Sequence, residues 1–282
     1  MDINTIGIIG AGQMGSGIAQ VFAAAGLNVV LNDINEAAVQ RGIASVSANL
    51  DRMVSKDKLT AADAKAIVAR IKGTTALNDL SACEFLIEAA TENIEIKQKI
   101  LKNLDSIAKP GCIIATNTSS VSITKLAATL ASPDRVVGMH FFNPVPVMAL
   151  VEVIRGIQTS DTTFSVTQDL VKRLGKTAIS VKNSPGFVVN RILVPMINEA
   201  IFVFQEGLAS AEEIDAGMKL GANHPIGPLA LADLVGLDVV LAVMEVFYRD
   251  FNDSKYRPAP LLREMVDAGH LGRKTKKGFY TY

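Results

Sequence analysis

The run Thr5-Ile-Gly-Ile-Ile-Gly-Ala-Gly-Gln-Met-Gly15 takes a short apolar strand straight into the spacing Gly10-x-Gly12-x-x-Gly15. A helical stretch over 16–25 follows, then a second apolar strand over 27–33 that ends in Asp33. Few folds accept that order. Gly10 permits a tight turn, Gly12 lets backbone approach a pyrophosphate, and Gly15 lets the helix pack close to the strand. The start of the helix supplies unpaired N–H groups and a partial positive charge. Asp33 stands where a carboxylate accepts hydrogen bonds from a ribose 2′-hydroxyl and repels a 2′-phosphate. A glycine-rich turn without a ligand leaves Asp33 unexplained. No cation adjoins it in Asn32-Asp33-Ile34-Asn35, so the segment reads as a site for NAD rather than NADP.

With 282 residues the chain has room for one large or two ordinary domains. Twenty-eight basic residues balance 28 acidic ones, which leaves no overall field to attract nucleic acid or an anionic membrane. Cys83 and Cys112 have no companion pair, which argues against a zinc site or a disulfide framework and suits a reducing cytosol. The N-terminus carries Asp2 and no basic leader, and no apolar run approaches the roughly 20 residues that span a bilayer. A cytoplasmic protein is expected.

The first two-thirds of the chain alternates apolar runs with helical stretches, the pattern of a parallel sheet covered by helices. Helices are expected over 36–54 and 61–72, as a hairpin inserted before the third strand. Strands follow at 85–89, 112–116, 136–141, 150–154 and 178–181, with helices over 94–107, 123–130 and 162–174. At Ser184-Pro185-Gly186 the character changes. Beyond it the spacing is helical throughout, over 188–206, 210–219, 228–251 and 258–268. The expected fold is therefore a doubly wound α/β domain over 1–184, followed by an all-α domain over 185–282. The segment from Asn190 to Phe204 is apolar on nearly every face, and such a helix must be surrounded. A homodimer contact would complete its burial.

Only three histidines occur: His140, His224 and His270. His140 closes a strand and opens His140-Phe-Phe-Asn143-Pro144, at the sheet edge where ligands sit in parallel sheets. Glu152 lies in the middle of the apolar strand Leu150-Val-Glu-Val-Ile. A buried carboxylate is costly unless paired, and the histidine of the preceding strand is its natural partner. A carboxylate on one ring nitrogen fixes the tautomer and leaves the other nitrogen to exchange a proton. That is what oxidation of an alcohol by hydride loss requires. His224 and His270 sit in turn-rich segments and read as structural or exposed.

Gly-Ala-Gly-Gln-Met-Gly, Glu92-Asn93 with Lys97, Asn117-Thr-Ser119-Ser120, His140-Phe-Phe-Asn-Pro, Leu-Val-Glu152-Val, Pro185-Gly-Phe-Val-Val-Asn190-Arg and Lys276-Lys-Gly-Phe-Tyr occur in this order. Together they closely resemble the L-3-hydroxyacyl-CoA dehydrogenases, over essentially the whole chain. The resemblance implies a Rossmann-type NAD domain and a helical substrate and dimerisation domain. It implies His140 as general acid/base, Glu152 as its orienting anion, and Ser119 and Asn190 as hydrogen-bond donors to the C3 oxygen or thioester of an acyl-CoA. Gln13 and Met14 would give backbone amides to the pyrophosphate. Glu92, Lys97, Asn117 and Asn143 would contact the ribose and nicotinamide end of NAD. Without the resemblance, Lys97 reads as a solvated helix face, and Asn117, Ser119 and Ser120 as loop caps. Family members bind CoA with basic residues of the hairpin. Here Arg52 and Lys56 stand at i,i+4 and would project from one helical face toward the CoA phosphates.

Three other readings remain at this level. A β-hydroxyacid dehydrogenase would use a lysine as acid/base. A sugar-acid dehydrogenase of the gulonate and lens-crystallin branch shares the histidine motif. A non-catalytic NAD-binding protein would need none of Ser119, His140, Glu152 and Asn190.

Overall fold

A computed structural model describes residues 3–282, so the start of the chain at Met1 and Asp2 lies outside the described residues. The chain forms two compact units, one ending at Ser184 and the other beginning at Pro185. No helix among the described residues is long and apolar enough to cross a membrane.

In chain order the first unit holds β1 (Thr5–Ile9), α1 (Gln13–Ala24), β2 (Asn28–Asn32), α2 (Glu36–Val54), α3 (Ala61–Ala69), β3 (Ile71–Thr74) and β4 (Phe85–Glu88). It continues with α4 (Ile94–Ile107), β5 (Ile113–Thr116), α5 (Ile123–Ala127), β6 (Val136–Phe141), β7 (Leu150–Arg155), α6 (Asp161–Arg173) and β8 (Thr177–Lys182). The strands form one sheet in the order β3-β2-β1-β4-β5-β6-β7-β8. Every neighbouring pair is parallel except β6 with β7, so the last two strands run against the first six. This is a doubly wound α/β sheet. Its order reverses between β1 and β4, which opens a crevice at their carboxyl ends.

The central strands are buried on both faces, as their continuous Ile, Leu and Val content demands. Phe22 of α1 and Phe141 of β6 meet edge to face within this core, with ring centroids 6.4 Å apart. Each such fully buried side chain contributes about 1.5–3 kcal/mol. Most covering helices start on a capping side chain. Asn35, Thr60, Asn93, Ser122 and Ser160 accept from the backbone N–H three residues on. The helix α1 is different, because its cap is Gly12 and no side chain serves its first N–H groups.

Two expectations in the first unit need correction. The helix expected over 61–72 ends at Ala69, and Ile71–Thr74 pairs with β2 as an edge strand. The helix α2 ends at Val54, so Lys56 lies in the following turn, which Asp57 closes with a left-handed φ of 54°. Arg52 and Lys56 therefore do not share one helical face, although both are exposed.

The second unit consists of α7 (Val189–Gln205), α8 (Ala211–Gly221), α9 (Pro228–Val235), α10 (Leu237–Phe251) and α11 (Pro260–Asp267). The single helix expected over 228–251 is broken at Gly236, whose φ of 103° suits glycine. Val194, Ile197 and Ile201 of α7 join the core of this unit, whereas Ile192 stays 68% exposed. The C-terminal tail is tied down by two buried aspartates. Asp233 accepts from the N–H groups of Phe279 and Tyr280 and from the Tyr282 hydroxyl, and Asp215 accepts from the Tyr280 hydroxyl. Gly278 presses on the Asp233 carboxylate so closely that any side chain there would collide with it.

Candidate active site

The loop after β1 is built around absent side chains. Gly10 has a φ of 102°, and its N–H donates to the Asn32 carbonyl at 2.8 Å. A methyl group on Gly15 would overlap the Gly10 carbonyl oxygen, so glycine is needed to hold α1 against β1. A methyl group on Gly12 would meet nothing and would project into open space. There the first turn of α1, with Gln13 and Met14, presents uncapped N–H groups and carries no acidic residue. Those are the conditions for binding an anion at a helix N-terminus.

Asp33 locks this loop to the end of β2. One carboxylate oxygen accepts from the Ala11 N–H at 2.8 Å and the other from the Ile34 N–H at 2.7 Å. Each oxygen keeps a further lone pair for a hydroxyl. Asp33 lines two clefts. One, of about 370 Å³, is bounded by Gly12, Gln13, Ser16 and Arg41. The other, of about 390 Å³, is bounded by Ile34, Leu77, Ala90, Ile96 and Ile100. The apolar walls of the second suit a flat base, and Ile34 at 95% exposed is an aliphatic side chain in need of a cover. These isoleucines were not legible as site residues, because their spacing resembles ordinary core pattern. Arg41 lies eight residues past Asp33 on α2, so a search of its immediate neighbours misses it. The uncapped helix start, the open face of Gly12 and the anchored Asp33 fit a dinucleotide.

At the carboxyl ends of β4 and β5 lies a charged cluster. Lys97, on the first turns of α4, is 1% exposed, and its Nζ donates to Glu88 Oε2 at 2.6 Å. This excludes the solvated-face alternative for Lys97. Glu92 accepts from the Thr118 hydroxyl at 2.6 Å, the Ser119 N–H at 2.8 Å and the Ser119 hydroxyl at 3.1 Å. Asn117 is buried, and its side-chain oxygen accepts from the Phe141 N–H at 2.9 Å, fastening β5 to β6 one residue past His140. Asn143 is exposed on the loop after β6.

His140 and Glu152 oppose each other directly across the antiparallel β6–β7 pair. Residues so paired project from the same face. His140 Nδ1 and Glu152 Oε2 are 2.7 Å apart, and the two side chains are 7% and 0% exposed. The ring also packs against Phe142, with centroids 4.6 Å apart. Because β6 runs parallel to β1, β4 and β5, His140 emerges at the same sheet edge as the glycine loop and Ser119. With Nδ1 engaged by the carboxylate, Nε2 is the ring nitrogen that can exchange a proton with a ligand.

Asn190 belongs to the second unit, in the first turn of α7, one residue past the start of the helix. Its neighbour Arg191 stacks over the Phe251 ring at 3.7 Å, and Gly186 abuts Phe247 where any side chain would clash. Arg52 donates to the Asn49 side chain on the hairpin.

Comparison with known proteins bears on both units. The profile described as 3-hydroxyacyl-CoA dehydrogenase, NAD binding domain, matches residues 5–184, and that of the C-terminal domain matches 186–282. A 3-hydroxybutyryl-CoA dehydrogenase of Bradyrhizobium diazoefficiens is 51% identical over 99% of this chain and 96% of its own length. One of Clostridioides difficile is 52% identical over 98% and 99%. The crystal structure of (S)-3-hydroxybutyryl-CoA dehydrogenase from Ralstonia eutropha is 65% identical, with a TM-score of 0.97 over 100% of this chain and 99% of that one.

Proposed function

The chain belongs to the 3-hydroxyacyl-CoA dehydrogenase family, and from that premise we propose that it interconverts (S)-3-hydroxybutyryl-CoA and acetoacetyl-CoA with NAD. The observation that carries the reaction chemistry is the buried His140–Glu152 contact of 2.7 Å. When bound, NAD supplies hydride chemistry at the substrate's C3 carbon. In oxidation, His140 Nε2 takes the C3 hydroxyl proton as the C–H bond gives up its hydride. In reduction, the same nitrogen returns the proton to the ketone oxygen. Glu152 holds Nδ1–H, which fixes the tautomer and balances the imidazolium that forms. Ser119 and Asn190 donate hydrogen bonds to the C3 oxygen or the thioester region.

Gly10, Gly12 and Gly15 shape the pyrophosphate loop, Gln13 and Met14 give it backbone amides, and Asp33 accepts from the ribose. Glu92, Lys97, Asn117 and Asn143 serve the nicotinamide half. Arg52 and Lys56, exposed at the end of the hairpin, meet the phosphates of CoA. The protein acts as a cytoplasmic homodimer on a small-molecule thioester, with no part for nucleic acid or membrane. The partly exposed apolar face of α7 supports the dimer, and a lone 30.0 kDa species in sedimentation velocity would contradict it.

The deciding assay follows loss of NADH absorbance with acetoacetyl-CoA, the same reduction with NADPH, and gain of NADH absorbance with NAD and free sugar acids as oxidation substrates. The reading requires turnover of the CoA thioester with NADH and little with the others. Turnover of sugar acids alone would move the protein to the gulonate and lens-crystallin branch. NADH binding without turnover of any substrate would make it a non-catalytic binding protein.

A further inference from the structure

Glu88 is absent from every motif that carries the resemblance, yet its buried carboxylate accepts three hydrogen bonds at the sheet edge. It ends β4 and is fully buried. One of its oxygens accepts from Lys97 Nζ at 2.6 Å and from the Thr116 hydroxyl at 2.7 Å; the other accepts from the Ala90 N–H at 2.9 Å. A single carboxylate thus ties together the ends of β4 and β5 and the start of α4. Ala90, which it anchors, also lines the apolar cleft beside Asp33.

Lys97 Nζ lies between two acids. Glu88 is at 2.6 Å, and Glu92 Oε2, half exposed, is at 3.9 Å. Glu92 in turn holds the hydroxyl and N–H of Ser119. We propose that Glu88 is a positioning residue for the cofactor and substrate site, holding the Lys97 ammonium at 3.9 Å from Glu92 Oε2 so that Glu92 Oε1 stays on Ser119. The proposal rests on the dehydrogenase reading above. Without the Glu88 charge, the ammonium has Glu92 as its near anion, and a pair formed there would draw Glu92 off Ser119. The Lys97 ammonium is buried, so its attraction to a carboxylate at that separation is screened less than between two exposed charges.

The test compares Glu88→Gln with the double variant Glu88→Gln/Lys97→Met, using thermal melting, NADH affinity by fluorescence titration, and separate kcat and KM values. Removing one partner of a buried pair is destabilising, whereas replacing both by neutral groups is often tolerated. The double variant therefore melts close to the wild type. In Glu88→Gln the KM for acetoacetyl-CoA rises about tenfold or more, because Ser119 loses its hold on Glu92, while kcat falls much less, because His140 and Glu152 stand on other strands. In the double variant no ammonium is left to draw Glu92 away, so that KM falls back toward the wild-type value, although NADH binds more weakly for want of Lys97. An unchanged KM for acetoacetyl-CoA in a folded Glu88→Gln protein overturns the proposal. So does a KM that stays raised in the double variant, which would show that the released ammonium is not what disturbs Ser119. If Glu88→Gln does not fold, the double variant decides alone. Failure of the dehydrogenase reading looks different: wild-type protein binds NADH but does not consume it with acetoacetyl-CoA.

Discussion

His140 and Glu152 are twelve residues apart and face each other on one rung of an antiparallel ladder. That pairing was legible because a glutamate inside an apolar strand needs a partner, and few cationic or proton-sharing side chains lie near it in sequence. Lys97 shows the opposite case. A lysine in a charged helix reads as solvated, and only the fold reveals that the acid at the end of β4 captures it. Local sequence does not encode which strand end will lie beneath a helix. At this scale the account makes a sharp prediction for Glu152→Gln. The side chain keeps its size and one hydrogen bond but loses the charge that balances imidazolium. Steady-state kcat should fall about 10²- to 10⁴-fold, with NADH affinity by fluorescence titration unchanged. A fall of less than threefold would show that the charge on Glu152 is idle.

Among the elements, the glycine loop, the inserted hairpin and the central strands were readable because turn chemistry and apolar runs are local properties. The edge strand β3 was not. Ile71-Lys-Gly-Thr pairs on one side only, carries a solvated lysine, and is held by Gly73 fitting under Val39 of α2, a contact with no local signature. The break at Gly236 was hidden for a related reason, since apolar periodicity runs through it from α9 into α10. The three glycines of the β1 loop should respond differently to the same change. Gly15→Ala puts a methyl group into the Gly10 carbonyl and should cost about 3 kcal/mol of stability or prevent folding. Gly12→Ala meets no protein atom and should melt near the wild-type temperature, yet weaken NADH binding at least about tenfold. Equal NADH affinity in a folded Gly12→Ala protein would remove the pyrophosphate from that loop.

For the whole molecule, the change of pattern at Ser184-Pro185-Gly186 was visible because an all-helical run contains no strand signal. The role of the C-terminal tail was not. Lys276-Lys-Gly-Phe-Tyr carries part of the resemblance but no local sign of its partners, and the structure sets its glycine, backbone and tyrosine against Asp215 and Asp233, within the second unit. Burial beside Asp215 also pushes the Tyr280 hydroxyl above its ordinary pKa, which keeps it a hydrogen-bond donor. The sheet, the glycine loop and the charged edge converge on one claim: a carboxylate-held imidazole moves the substrate's proton. The direct measurement is NADH consumption with acetoacetyl-CoA by His140→Ala, with NADH binding titrated on the same sample. The account predicts that turnover is lost while NADH binds with wild-type affinity. Turnover within tenfold of wild type in that variant would contradict it.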